Sequence, residues 1–148
     1  MSGDSIDLGT LSSSQARFGQ SQFATATNDP NGYIIFADGT TMTSGNHIIP
    51  SLSNPTPSFP GTGQFGINLR ANLIPAVGQD PIGLGTAAPT ANYDIPNRFL
   101  FVPGDSITTA SLPSNYNRMT VSYLVNIPSQ QTPGVYVTTV DYIATVQF

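Results

Sequence analysis

Any chemistry this chain performs must come from eight aspartates, four arginines (Arg17, Arg70, Arg98 and Arg118) and a single histidine, His47; lysine, glutamate, cysteine and tryptophan do not occur. A Ser-His-Asp triad would have to use His47, which lies in Asn46-His47-Ile48-Ile49-Pro50 beside a proline-rich stretch. No Gly-x-Ser-x-Gly turn is present to expose a nucleophilic serine. Glycoside hydrolysis needs two carboxyl groups whose pKa values are pushed apart. Four of the aspartates, Asp29, Asp38, Asp80 and Asp105, instead sit in turn sequences, where a carboxylate bonds its own nearby backbone. Calcium is the one ion whose hard oxygen ligands the chain could supply, from Asp29 with Asn31, from Asp80 and from Asp94, but neither an EF-hand nor a calcium-binding repeat is present. Gly83-Leu84-Gly85 lacks the further glycine, strand and helix of a phosphate loop. Without cysteine there is no thiol chemistry, disulfide or Cys-based zinc site. The expectation is a protein that is not an enzyme and needs no cofactor.

Charged residues make up 8% of the chain, against about 25% in ordinary soluble domains. The net charge is −4. Four scattered arginines cannot neutralise a run of phosphates, so nucleic acid is not an expected partner, and anionic membrane surfaces are disfavoured for the same reason. No apolar stretch approaches the ~20 residues of a transmembrane helix. Residues 1–5 lack the basic and apolar regions of an export signal. The composition nonetheless suits an extracellular or cell-surface protein, with an export signal already removed.

The elements that would position these residues are strands. Helical periodicity is interrupted everywhere by Gly or Pro, whereas period-two runs bounded by turn residues recur. Together they predict one all-β domain over residues 1–148: an antiparallel β-sandwich, jelly-roll or Ig-like, with long proline-rich loops and little or no helix. Strands are expected over residues 5–11, 16–27, 33–37, 65–69, 98–102, 106–110, 119–127 and 135–148. The Asn28-Asp29-Pro30-Asn31-Gly32 turn predicts a hairpin between the second and third of these. The Gln130–Gly134 segment predicts a second hairpin, between the last two. In the final strand Tyr136, Val140, Tyr142, Ala144, Val146 and Phe148 share one face. Residues 43–63 and 75–97 read as long loops.

Three segments carry a resemblance. Residues 27–33 resemble a TNxxNGY turn. Residues 40–45, a proline-rich loop and residues 64–72 resemble a TxxSG…QFGxNLRAN block. Residues 133–142 resemble a terminal PxGxYxTTxxYxA strand. Together they resemble secreted, surface-associated β-sandwich proteins of small-genome candidate-phylum bacteria, over roughly residues 5–148. The terminal strand alone also resembles those of pilin-like and biofilm-matrix fibre subunits. The resemblance implies export and a cell-surface role and offers no catalytic residue.

The leading expectation is a non-catalytic structural subunit that forms a homo-oligomer or filament. Lysine-dependent isopeptide and sortase linkages are closed to a chain without lysine, so assembly would be non-covalent. Residues 5–11, tethered by Ser12-Ser13-Ser14-Gln15, could dock on their own sheet or on a neighbour's by β-strand addition. The expected contacts are Ile6, Leu8 and Leu11 from this segment and Tyr136, Val140 and Tyr142 from the last strand. The alternative is a carbohydrate-binding or adhesive module presenting residues 43–63 and 75–97, with Tyr33, Tyr93 and Tyr116 as aromatic faces for sugar rings.

Overall fold

The computed structural model describes residues 5–146 and is all-β, with no helix among them. Twelve strands follow in order. The larger ones are β1 (Arg17–Thr27), β2 (Tyr33–Gly39), β5 (Gln64–Asn68), β10 (Asp105–Ala110), β11 (Ser114–Asn126) and β12 (Val140–Val146). Short pieces complete the set: β3 (Met42–Ser44), β4 (His47–Ile49), β6 (Asn72–Leu73), β7 (Ala76–Val77), β8 (Ile82–Gly83) and β9 (Ala88–Pro89). The first sheet has the order β1-β11-β5, with β8 paired to the start of β11; the second has the order β12-β2-β10-β9. All these pairings are antiparallel.

The two sheets form a sandwich-like pair around one main core. Ile35 and Ile107 of the second sheet meet Phe65, Ile67, Met119, Val121 and Val125 of the first, joined by Phe101 and Tyr93 from between the strands. Phe65 and Phe101 pack edge to face with ring centroids 5.2 Å apart, the geometry that the ring quadrupole favours. The first sheet is covered on its other face too. Every residue of β5 is buried, and Leu124 of β11 belongs to a second cluster with Val77 and Phe99.

Both expected hairpins are corrected. The turn at residues 28–32 is present, with Gly32 N donating to Asp29 O at 3.1 Å. Gly32 has φ +75°, and a Cβ there would fall 1.8 Å from Ala110 O, so glycine is required. Yet β1 pairs with β11 and β2 pairs with β10 and β12. The chain changes sheets at this turn, and the Tyr33 hydroxyl is hydrogen-bonded to Thr25 Oγ1 across the sandwich. Turn residues set a reversal of direction and leave the ladder partner open. The same holds for β11 and β12, which lie in different sheets. The last strand is also shorter than expected, beginning at Val140. Phe148 lies outside the described residues.

Four further segments differ from expectation. Residues 5–11 form no ladder, and Gly9, at φ 67°, turns the segment with its N donating to Asp7 Oδ1 at 2.8 Å. Residues 98–102 are largely buried yet contribute isolated bridges, Thr56 with Phe99 and Ile67 with Leu100. The loop regions contain the β3–β4 and β6–β7 pairs. Phe101 is fully buried and Phe59 is 64% exposed. Phe101→Ala is therefore expected to cost about 3–5 kcal/mol in urea unfolding, and Phe59→Ala within about 0.5 kcal/mol. Equal losses at both positions would contradict this core.

Candidate functional site

β1 and β12 are the edge strands of their sheets and lie on the same side of the sandwich. Phe23 of β1 and Tyr142 of β12 meet there with ring centroids 5.6 Å apart. Among the described residues each strand has a single ladder neighbour, β11 for β1 and β2 for β12. Between them runs an open trough of about 1360 Å³. Its walls come from Ser21–Phe23, Tyr123, Ile127 and residues 131–142, and residues 5–11 lie along it.

The sequence pattern explains one wall. In β1, half-buried and exposed residues alternate, with Gly19, Ser21, Phe23 and Thr25 on the half-buried side, as the two-residue period of a strand requires. Gly19 leaves a gap where a side chain would stand, and the N-terminal segment fills it. A Cβ at Gly19 would fall 2.5 Å from Ile6 Cγ2 and 3.1 Å from Leu8 Cδ2. Leu8 and Leu11 pack against the main core, and Arg17 Nε donates to Thr10 O at 2.8 Å. Residues 5–11 thus dock through side chains and one arginine contact.

The three tyrosine hydroxyls at the trough are hydrogen-bonded. The Tyr123 hydroxyl is hydrogen-bonded to Ser21 Oγ at 2.8 Å and to the Tyr142 hydroxyl, linking the two sheets. Burial, reinforced by the neighbouring Tyr123, pushes the Tyr142 hydroxyl well above the usual tyrosine range, so it stays protonated. Opposite, Gln131 Nε2 donates to the Tyr136 hydroxyl at 2.6 Å, which donates to Thr132 O at 2.8 Å. Apart from Asp7 and Asp141 the lining is of uncharged polar groups and apolar side chains, which suit an apolar segment better than an ion.

The structure brings all six expected contact residues, Ile6, Leu8, Leu11, Tyr136, Val140 and Tyr142, to this one trough. Sequence reasoning missed Gly19, Ser21, Phe23 and Tyr123; the small-residue alternation of residues 17–27 was the available signal for the first three. The other candidates are scattered. His47 is exposed in the β3–β4 hairpin. Tyr33 and Tyr93 are core residues at 5% and 1% exposure, which removes them as sugar platforms; Tyr116 is 55% exposed.

Asp80 and Asp94, named as calcium ligands, do converge, but on Arg70. Arg70 Nε and Nη1 donate to them at 2.8 Å each. Asp29 is elsewhere, accepting from Asn31 N. Among the described residues no three His, Cys, Asp or Glu side chains are grouped to hold a metal. Asn68, fully buried, underlies the Arg70 cluster: its amide donates to Ile95 O and Arg98 O, and its carbonyl accepts from Arg70 N. These contacts tie the long loops to the end of β5.

In comparisons with family models, curated proteins and solved structures, nothing matches this chain.

Two outcomes follow from this geometry. Gly19→Val is expected to lift residues 5–11 off the trough, so that limited proteolysis cuts there faster while the far-UV circular dichroism is retained; unchanged protection would refute the seat. The Arg70 cluster is expected to respond to acid. Hydrogen bonds from Arg70 and then from Ala71 N hold the Asp80 carboxyl below the ordinary aspartate range. A depressed folded value stabilises above the unfolded pKa, and that contribution is lost as the pH falls through the folded value. The pair is exposed, so its effect is local and small. The protection of amides at residues 70–80 against exchange, relative to their intrinsic rates, should fall below about pH 4 before global unfolding, and Asp80→Asn should remove that step.

Proposed function

We propose that this chain is a secreted, non-catalytic structural subunit of a cell-surface layer, pilus or fibre, assembling non-covalently with copies of itself by strand addition along its open side. The observation that supports this reading is the largely apolar trough flanked by the edge strands β1 and β12, with residues 5–11 forming part of its wall without a ladder. A segment so seated gains side-chain burial but little from backbone pairing. The same segment from a second copy could gain both, because an edge strand offers its N–H and C=O groups to any extended partner.

The character of β12 favours this reading. Its seven residues carry one charge, Asp141, while Ile143 and Val146 are 47% and 45% exposed. Edge strands of monomeric proteins are commonly protected by lysine, proline or bulges, and lysine is absent from the whole chain. The same absence leaves non-covalent contacts as the means of assembly. The adhesive-module alternative relies on residues 43–63 and 75–97. Several polar groups in and beside those loops hold the fold together instead, as Gln64 Nε2 does in donating to Pro57 O at 3.1 Å and Asn72 Oδ1 in accepting from Asn97 N at 2.7 Å.

Electron microscopy over a concentration series tests the reading. Regular filaments are expected from the full chain and not from a chain lacking residues 1–14. Thr145→Lys, which places a charge on β12, should raise the concentration needed to form them. Dispersed monomers from the full and the shortened chain alike would overturn strand addition.

A further inference from the structure

β11 carries an extra residue near its start. Across the β1–β11 pair, Thr25 lies opposite Asn117 and Thr27 lies opposite Ser114, so Asn115 and Tyr116 together oppose the single residue Ala26. Consecutive residues of a regular strand point to opposite faces, and a bulge re-aims them. Here Asn115 and Tyr116 both border an open notch of about 400 Å³, completed by Ala26, Thr27, Asn28 and Ser114.

The bulge is braced from behind. Leu84 N and Gly85 N both donate to Tyr116 O, at 3.1 and 3.2 Å. Asn117 Nδ2 donates to Gly85 O at 3.3 Å, and Asn117 Oδ1 accepts from Ala87 N at 3.3 Å. The approach is close enough to demand glycine: a Cβ on Gly83 would fall 2.2 Å from Tyr116 O, and one on Gly85 1.8 Å from Asn117 Oδ1. Backbone contacts therefore hold the Tyr116 main chain in place, while its ring stands 55% exposed.

We propose that this notch binds a neutral sugar ring, stacked on the face of Tyr116 and held at its hydroxyls by the side-chain amides of Asn28 and Asn115. Both asparagines are exposed, and neither amide group is engaged by another described residue. A primary amide supplies two donors and an acceptor, which matches hydroxyl groups that both donate and accept. A pyranose presents C–H groups on its face and hydroxyls at its edge, so an aromatic ring flanked by amides is complementary to it. None of the six lining residues is charged, so an ionic ligand would find no counter-charge in the notch. The notch shares no lining residue with the trough, and this inference stands whether or not the chain assembles.

The test is titration of the isotope-labelled full chain with methyl α-glucopyranoside, methyl β-galactopyranoside and N-acetylglucosamine, followed by amide NMR shifts. The expected result is saturable movement of the Asn28, Asn115 and Tyr116 signals with at least one sugar, at a Kd on the order of millimolar as befits one shallow ring contact. Tyr116→Ala should weaken binding by about tenfold or more, equivalent to 1.4 kcal/mol, while Tyr116→Phe keeps it. Asn28→Ala, remote from the bracing contacts, should weaken it with the fold intact. No movement with any of the three sugars, or the same movement in Tyr116→Ala, would overturn the proposal. So would Tyr116 signals that respond to protein concentration and ignore sugar, since the notch would then be a contact between copies.

Discussion

The burial of β5 and β11 on both faces is the constraint on which the rest of this structure depends. One face of each meets the second sheet through Phe65, Ile67, Met119, Val121 and Val125. The other face cannot be left to water, because it carries Leu124 and a row of polar residues, Thr120, Ser122 and Asn126, that are also buried. The long loops provide that cover. Phe99 and Val77 reach Leu124, and Gly66 permits the approach of residues 99 and 100, whose nearest atoms would lie 3.0 Å from a Cβ there. The prolines of these loops give up backbone donors that no ladder requires, so a proline-rich cover is compatible with a closely packed sheet.

Under this cover most buried polar groups are paired almost without charge, although Asn126 Oδ1 has no hydrogen-bond partner. Asn126 Nδ2 donates to Gln64 Oε1 at 2.7 Å, and Gln64 Oε1 also accepts from Phe59 N at 2.8 Å. Asn97, in the left-handed region at φ 61°, accepts from Leu73 N and Ile74 N. Short amide side chains tolerate that conformation and bond nearby backbone. An unsatisfied buried group would cost about 1–3 kcal/mol, so these amides are structural parts in the same sense as the apolar core. The Arg70 pairs with Asp80 and Asp94 are the ion pairs among the described residues, and they too close loops onto the end of β5.

Covering one side so thoroughly leaves the molecule asymmetric. Beyond β5, bridges from Ser51 and Leu100 occupy the strand edge. On the other side β1 and β12 lack such cover among the described residues, and the space between the sheets is met by the side chains of residues 5–11. Among the described residues this side presents apolar side chains beside strand edges that have no second ladder partner. The bulge at Asn115 and Tyr116 is a separate device on the same strand pair, fixed by the close approach of Gly83 and Gly85.

The sequence by itself determined the fold class and most strand positions, and it named six of the residues that line the trough while passing over Ser21, Phe23 and Tyr123. The alternation of Gly19, Ser21 and Phe23 is a local pattern that tells which side of β1 faces inward, whereas the alternation of Val121, Tyr123 and Val125 gave no sign that the opposite face of β11, with Ser122 and Leu124, is buried as well. Partners and sheets were decided by the tertiary structure alone. Asn28–Gly32 and Gln130–Gly134 read as hairpin connections, yet both connect strands of opposite sheets, because a turn restricts only its own dihedrals while pairing depends on which edges the rest of the chain leaves open. Residues 5–11 have the composition of a strand and form none, since Gly19 offers them a side-chain seat and no ladder. The burial of Tyr33 and Tyr93 beside the exposure of Tyr116 was equally beyond the sequence: three tyrosines near turns look alike until packing from distant segments distinguishes them.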